Sequence, residues 1–177
     1  MGDLVAVAGS ILRQPNVWVA FALLCVGTMT QLSRAAKARR WPQDRLYAGR
    51  AAAASLSLAL AVTLARVTPG LSVDWRGCTG GLGLPVTDAE GVLNVLMLVP
   101  FGITAAYALR RFWPVFLAGA GACALIELTQ GLLGNGSCQG DDLVRNLAGA
   151  AIGAGIGIVL AHVYGSGGSP DSTKGGE

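Results

Sequence analysis

The sequence predicts an all-α polytopic membrane protein, a bundle of about five transmembrane helices, and three observations carry that expectation. Of its 177 residues, 53% are hydrophobic and only 13% charged, with a mean hydropathy of +0.55, which leaves too little polar material to clothe a soluble globule. The apolar residues fall into five runs of membrane-spanning length, each bounded by charged or turn-forming residues. The basic residues lie in the breaks between runs, so the formal charge of +3 reads as an orientation signal and no nucleic-acid partner is expected.

The first run, residues 17–32, has Arg13 ahead of it and Arg34, Lys37, Arg39, Arg40, Arg45 and Arg50 after it. Positive charge after the run predicts a retained helix with the N-terminus outside, because a signal peptide carries its charge in front. The second run, residues 51–67, returns the chain outward and ends before the turn residues Thr68, Pro69 and Gly70. Residues 68–91 form the long outer loop. The third run, residues 92–109, descends to the basic pair Arg110 and Arg111; the fourth, residues 113–133, rises to Gly134, Asn135 and Gly136; the fifth, residues 143–163, descends again. Three segments follow: an extracytoplasmic stretch 1–16, a membrane domain 17–163 and a cytoplasmic tail 164–177, whose Gly/Ser composition predicts disorder.

Asn94, Glu127, Gln130 and Asn146 fall within or at the ends of apolar helices, where an amide or charge costs a few kcal/mol unless paired or hydrated. Glu127 stands about six residues from the outer end of the fourth run, roughly 9 Å at ~1.5 Å per residue. Asn94 and Asn146 are shallower, so all these groups arrive in the outer leaflet. Glu127 and Gln130 are three apart on one helix face, and Asp142 and Asn146 four apart on another. Asp142 either joins that cluster or caps the fifth helix. For Glu127 the alternatives are a neutral carboxylic acid bonded to a neighbouring helix and an acid/base or head-group ligand in an outer pocket. Pro100 frees a carbonyl and is expected to open space beside Glu127, with Gly102 permitting close approach. Gly149, Gly153 and Gly157, four apart, form a stripe that admits another helix backbone.

No cofactor and no metal are expected. Glu127, Asp141 and Asp142 are hard-cation donors in kind but not in spacing, and His162, the one histidine, stands at the far end of the fifth run. No Ser-His or P-loop arrangement appears. Cys25 and Cys123 sit inside apolar runs as small hydrophobes. Cys78 and Cys138 both fall in outer loops, the compartment where a disulfide persists, and are expected to pair.

Asn94, then Val99-Pro100-Phe101-Gly102, then Glu127-Leu128-Thr129-Gln130, then Asp142-Leu143-Val144-Arg145-Asn146 with Gly149 resemble the VanZ-like family over a core of residues 92–160. The resemblance implies a multi-pass bacterial cell-membrane protein whose named member confers resistance to the lipoglycopeptide teicoplanin. It brings no catalytic residues. The family's polar positions map onto Asn94, Glu127, Gln130, Asp142 and Asn146. The chain departs from the pattern where the family often carries an Arg shortly before the Asp: Cys138, Gln139, Gly140 and Asp141 stand there, and Arg145 follows instead.

Three functions compete. The first is binding or modification of a membrane lipid or lipid-linked envelope intermediate at the outer leaflet, with an effect on glycopeptide susceptibility; whether a reaction occurs stays open. The second is a non-enzymatic helper that docks on another membrane protein through the glycine stripe. A small transporter ranks third, because it wants polar groups across both leaflets or an inverted repeat.

Overall fold

A computed structural model describes residue 5 and residues 9–64, 89–133 and 140–165, with the side chains of residues 89, 90, 130–133 and 165 excepted. Five long helices form its body: α1 Pro15–Ala38, α2 Gln43–Leu64, α3 Ala89–Leu109, α4 Phe112–Leu133 and α5 Gly140–Gly165. All five are long and apolar enough to cross a membrane, and no strand occurs among the described residues. The chain is a multi-pass membrane protein. The Cys78–Cys138 pair and the tail beyond residue 165 lie outside the described residues; no disulfide occurs among those described, where Cys25 and Cys123 are free thiols.

α1 and α2 run further than their apolar stretches. Residues 33–38 and 43–50 continue the helices because Ala, Arg, Lys and Gln are good helix formers and no breaker intervenes before Trp41 and Pro42. The basic connection therefore shrinks to four residues, 39–42. Arg40 and Arg110 adopt left-handed φ values of 48° and 54° just beyond α1 and α3, positions that glycine usually fills. The Arg110 amide donates to the Ala106 carbonyl at 2.8 Å. Between α2 and α3, Arg45 Nε donates to the Ala108 carbonyl at 2.6 Å, a cation on the orphan carbonyls of a helix C-terminus.

α3 is central, packed against α5, α2 and α4, while α1 lies against α2 and is the least buried span. The core is built from Leu98, Phe101, Ala105, Ala106, Val115, Cys123, Ala150 and Ala154. Exposed Leu23, Val26, Leu117, Val159 and Val163 make the outward faces apolar, as lipid requires. Trp113, Tyr47 and Tyr164 are exposed at one end of the bundle and Trp18 at the other, the placement of interfacial aromatic belts.

The glycine stripe of α5 is consumed inside the chain. A Cβ on Gly149 would overlap the Val95 carbonyl oxygen, on Gly153 that of Val99, and on Gly157 that of Ile103. The offset between the helices is constant, so α3 and α5 are parallel and in register, close enough for Cα–H···O contacts. Gly102 completes the approach: its Cβ would lie 2.8 Å from the Ala150 oxygen. A partner protein can therefore not use this stripe, which removes the stated basis of the helper reading.

Where α1 meets α2, Ser57 is fully buried and its Oγ lies 3.1 Å from Thr28 Oγ1. Each hydroxyl also bonds its own helix, Ser57 to the Ala53 carbonyl at 2.7 Å and Thr28 to that of Leu24 at 2.9 Å. Because the backbone already satisfies both, Ser57→Ala is expected to lose only about 0.6 kcal/mol, read as a small fall in the thermal midpoint in detergent.

Candidate functional site

The C-terminal ends of α2 and α4 and the N-terminal ends of α3 and α5 meet at one end of the bundle, opposite the basic connections. A cavity of about 440 Å³ opens there, within the roughly 300–1,000 Å³ of small-molecule sites. Asn94 from α3, Glu127 from α4, and Asp142 and Asn146 from α5 all line it. Gln130 lies one turn beyond Glu127 on α4, and its side chain is outside the described set.

The rest of the lining is apolar. Leu58, Ala59 and Val62 come from α2, Leu93, Leu96, Met97 and Pro100 from α3, and Ile126 from α4. Pro100 borders the same space as Glu127. Ile11 and Leu12, from the short helical stretch ahead of α1, form a further wall. Ile11 is buried with Val17 and Ala61, and Trp18 Nε1 holds the segment by donating to the Leu12 carbonyl at 2.7 Å. Two hydroxyls on α2 also reach the lining, but Ser55 donates to the Ala51 carbonyl at 2.7 Å and Thr63 to that of Ala59 at 2.8 Å.

The four polar side chains differ in setting. Glu127 is buried, 8% exposed, and Asn146 more deeply at 2%; Asn146 Oδ1 has no hydrogen-bond partner among the described residues. A buried acceptor left without a donor costs about 1–3 kcal/mol. Asp142 stands in the first turn of α5 beside Asp141, where the helix dipole favours negative charge. Its Oδ1 accepts from Arg145 Nη1 at 3.2 Å, in an i,i+3 pair whose side chains are 30% and 10% exposed. Asp142 is therefore within the helix rather than ahead of it, and its carboxylate is oriented by a cation one turn below.

Sequence reasoning missed Arg145, dismissed because it follows the aspartate. The signal was present: an arginine at the end of a membrane helix, three residues from an aspartate, needs that partner to be buried. The Ile11–Leu12 wall carried no comparable signal. Among the described residues no group of three His, Cys, Asp or Glu is arranged to hold a metal, and His162 lies at the basic end, its Nδ1 2.8 Å from the Ile158 carbonyl oxygen. What the cavity can do chemically is accept hydrogen bonds from a polar head, move a proton at a carboxylate, and shelter apolar chain.

An all-helical polytopic membrane protein with an amide- and carboxylate-lined cavity at one end of its bundle is the class that fold and site define. The chain belongs to the VanZ/LLP1 family, whose model matches residues 17–161. That match takes in α1 and α2 as well as the stretch from Asn94 to Gly153 that carries the motif residues. No curated protein and no solved structure matches the chain.

Proposed function

We propose that this protein binds a lipid-linked or lipid-tailed amphiphile of the bacterial cell envelope in the cavity at the outer leaflet, and thereby alters glycopeptide susceptibility. The carrying observation is the convergence of Asn94, Glu127, Asp142 and Asn146 in a cavity otherwise walled by Leu, Val, Ile, Met and Pro, a lining suited to a molecule with a polar head and an apolar chain. The orientation, N-terminus outside and C-terminus cytoplasmic, rests on Arg34, Lys37, Arg39, Arg40, Arg110 and Arg111, which gather at the end opposite the cavity. Membership of the VanZ/LLP1 family supports the envelope setting.

The core speaks against a transporter. Below the cavity it closes with Leu98, Phe101, Ala105, Ala106, Cys123 and Ala154, and among the described residues no run of polar side chains continues from Glu127 to Arg110.

The test is teicoplanin susceptibility, with vancomycin as control, in a deletion strain carrying wild type, Glu127→Gln or Asp142→Asn at matched membrane abundance. Wild type is expected to protect and both variants to fall to the level of the empty strain. Removing one charge-assisted hydrogen bond should weaken head-group binding about tenfold. Equal protection by all three proteins would withdraw the cavity from the function.

A further inference from the structure

A second concavity, in the half of the bundle away from Glu127, has no part in that reading. It lies between α1, α2 and α3, measures about 470 Å³, and is walled by Gly27, Leu32, Ala53, Leu56, Phe101 and Leu109, with Trp41 at its end. Gly27 keeps it open, since a Cβ there would meet nothing within 4 Å.

At the Trp41 end stands a fixed cation. The Arg45 guanidinium carbon lies 5.2 Å from the centroid of the Trp41 ring, and its Nε donates to the Ala108 carbonyl at 2.6 Å. Those contacts hold the guanidinium plane and use one of its five N–H donors. The ion pair of Arg145 with Asp142 lies elsewhere, and among the described residues no carboxylate is seen paired with Arg45. Exposed Arg34, Lys37, Arg39, Arg40, Arg110 and Arg111 surround the same end. The one carboxylate in the adjoining turn, Asp44, accepts from Tyr107 Oη at 3.4 Å.

We propose that this groove is a binding site for an anionic phospholipid of the leaflet at the basic end. One acyl chain lies along Gly27, Leu32 and Phe101, and the phosphate is held by the terminal nitrogens of Arg45. The charge complementarity chooses the occupant. A planar guanidinium fork matches phosphate oxygens, and a basic pocket between transmembrane helices suits an anionic head group. The apolar walls require a ligand that continues as hydrocarbon, which free phosphate does not, and the surrounding bilayer supplies that molecule at high local concentration.

The experiment is native mass spectrometry of the purified full chain titrated with phosphatidylglycerol or phosphatidylcholine. Wild type should retain phosphatidylglycerol in preference to phosphatidylcholine. Arg45→Gln, which removes the guanidinium fork and its charge, and Gly27→Leu, whose Cβ meets nothing within 4 Å and whose side chain extends into the groove, should each weaken retention about tenfold. Arg111→Gln removes the same net charge outside the groove and should stay within about twofold of wild type. Equal losses in Arg45→Gln and Arg111→Gln with none in Gly27→Leu would overturn the site in favour of diffuse attraction. Equal retention of the two lipids would overturn the role of charge, and a dimer that Gly27→Leu dissociates would assign the groove to a second copy of the chain.

Discussion

Gly149→Ala is expected to lower thermal stability in detergent by roughly 3 kcal/mol, the upper end of the overpacking range, and Gly153→Leu to abolish recovery of folded protein. Ordinarily alanine favours a helix over glycine by about 1 kcal/mol, so the expected sign depends wholly on what the new methyl group meets. At Gly149 it meets the Val95 carbonyl oxygen, and at Gly153 that of Val99 with its Cα only 3.0 Å away. These atoms are backbone and cannot rotate aside, so α3 and α5 would have to part along their whole parallel contact. Gly121 on α4 and Gly155 on α5 are internal controls, because a Cβ at either meets nothing within 4 Å. Gly121→Ala and Gly155→Ala should hold or gain up to about 1 kcal/mol. The measurement is the fraction surviving graded heating by size-exclusion chromatography, and a Gly155→Ala loss as large as that of Gly149→Ala would sink the assignment of the stripe.

How far the sequence reached follows from what each pattern encodes. Apolar run length fixed the number of helices, but not the ends of α1 and α2, because residues 33–38 and 43–50 are polar helix formers whose hydropathy says loop while their propensity says helix. The spacing of Gly149, Gly153 and Gly157 announced a backbone approach and could not say whose. The answering residues Val95, Val99 and Ile103 offer their carbonyls, and β-branched side chains carry no such signature. Counting residues from the helix ends put Asn94, Glu127 and Asn146 in the outer leaflet, with Glu127 the deepest, and Asp142 at the start of the fifth helix. That they also share one cavity depends on helix rotation and neighbour order, which depth does not specify. Arg145 was hidden by a family expectation about order along the chain, although in a helix a partner three residues after an aspartate serves as well as one before it.

Arg145→Met is expected to remove about 3 kcal/mol of stability, and the double variant Asp142→Asn/Arg145→Met to regain much of it. Breaking a buried ion pair from one side leaves an uncompensated charge, whereas replacing both partners can be close to neutral. Here Arg145 is the more buried member, its side chain 10% exposed against 30% for Asp142, so Arg145→Met strands a partly solvated aspartate while Asp142→Asn takes a carboxylate away from a buried guanidinium. Asp142→Asn should therefore be the more harmful single change, unless the asparagine carbonyl keeps the contact now 3.2 Å long. A thermal or denaturant double-mutant cycle gives the coupling, expected at about 1–3 kcal/mol; additive losses would mean that the pair does not hold this turn of α5. The same variants separate architecture from function. If the double variant folds like wild type yet fails to protect against teicoplanin, the charge of Asp142 acts on what enters the cavity. If protection returns with folding, the aspartate serves only to anchor Arg145, and recognition rests on Glu127 with the two asparagines.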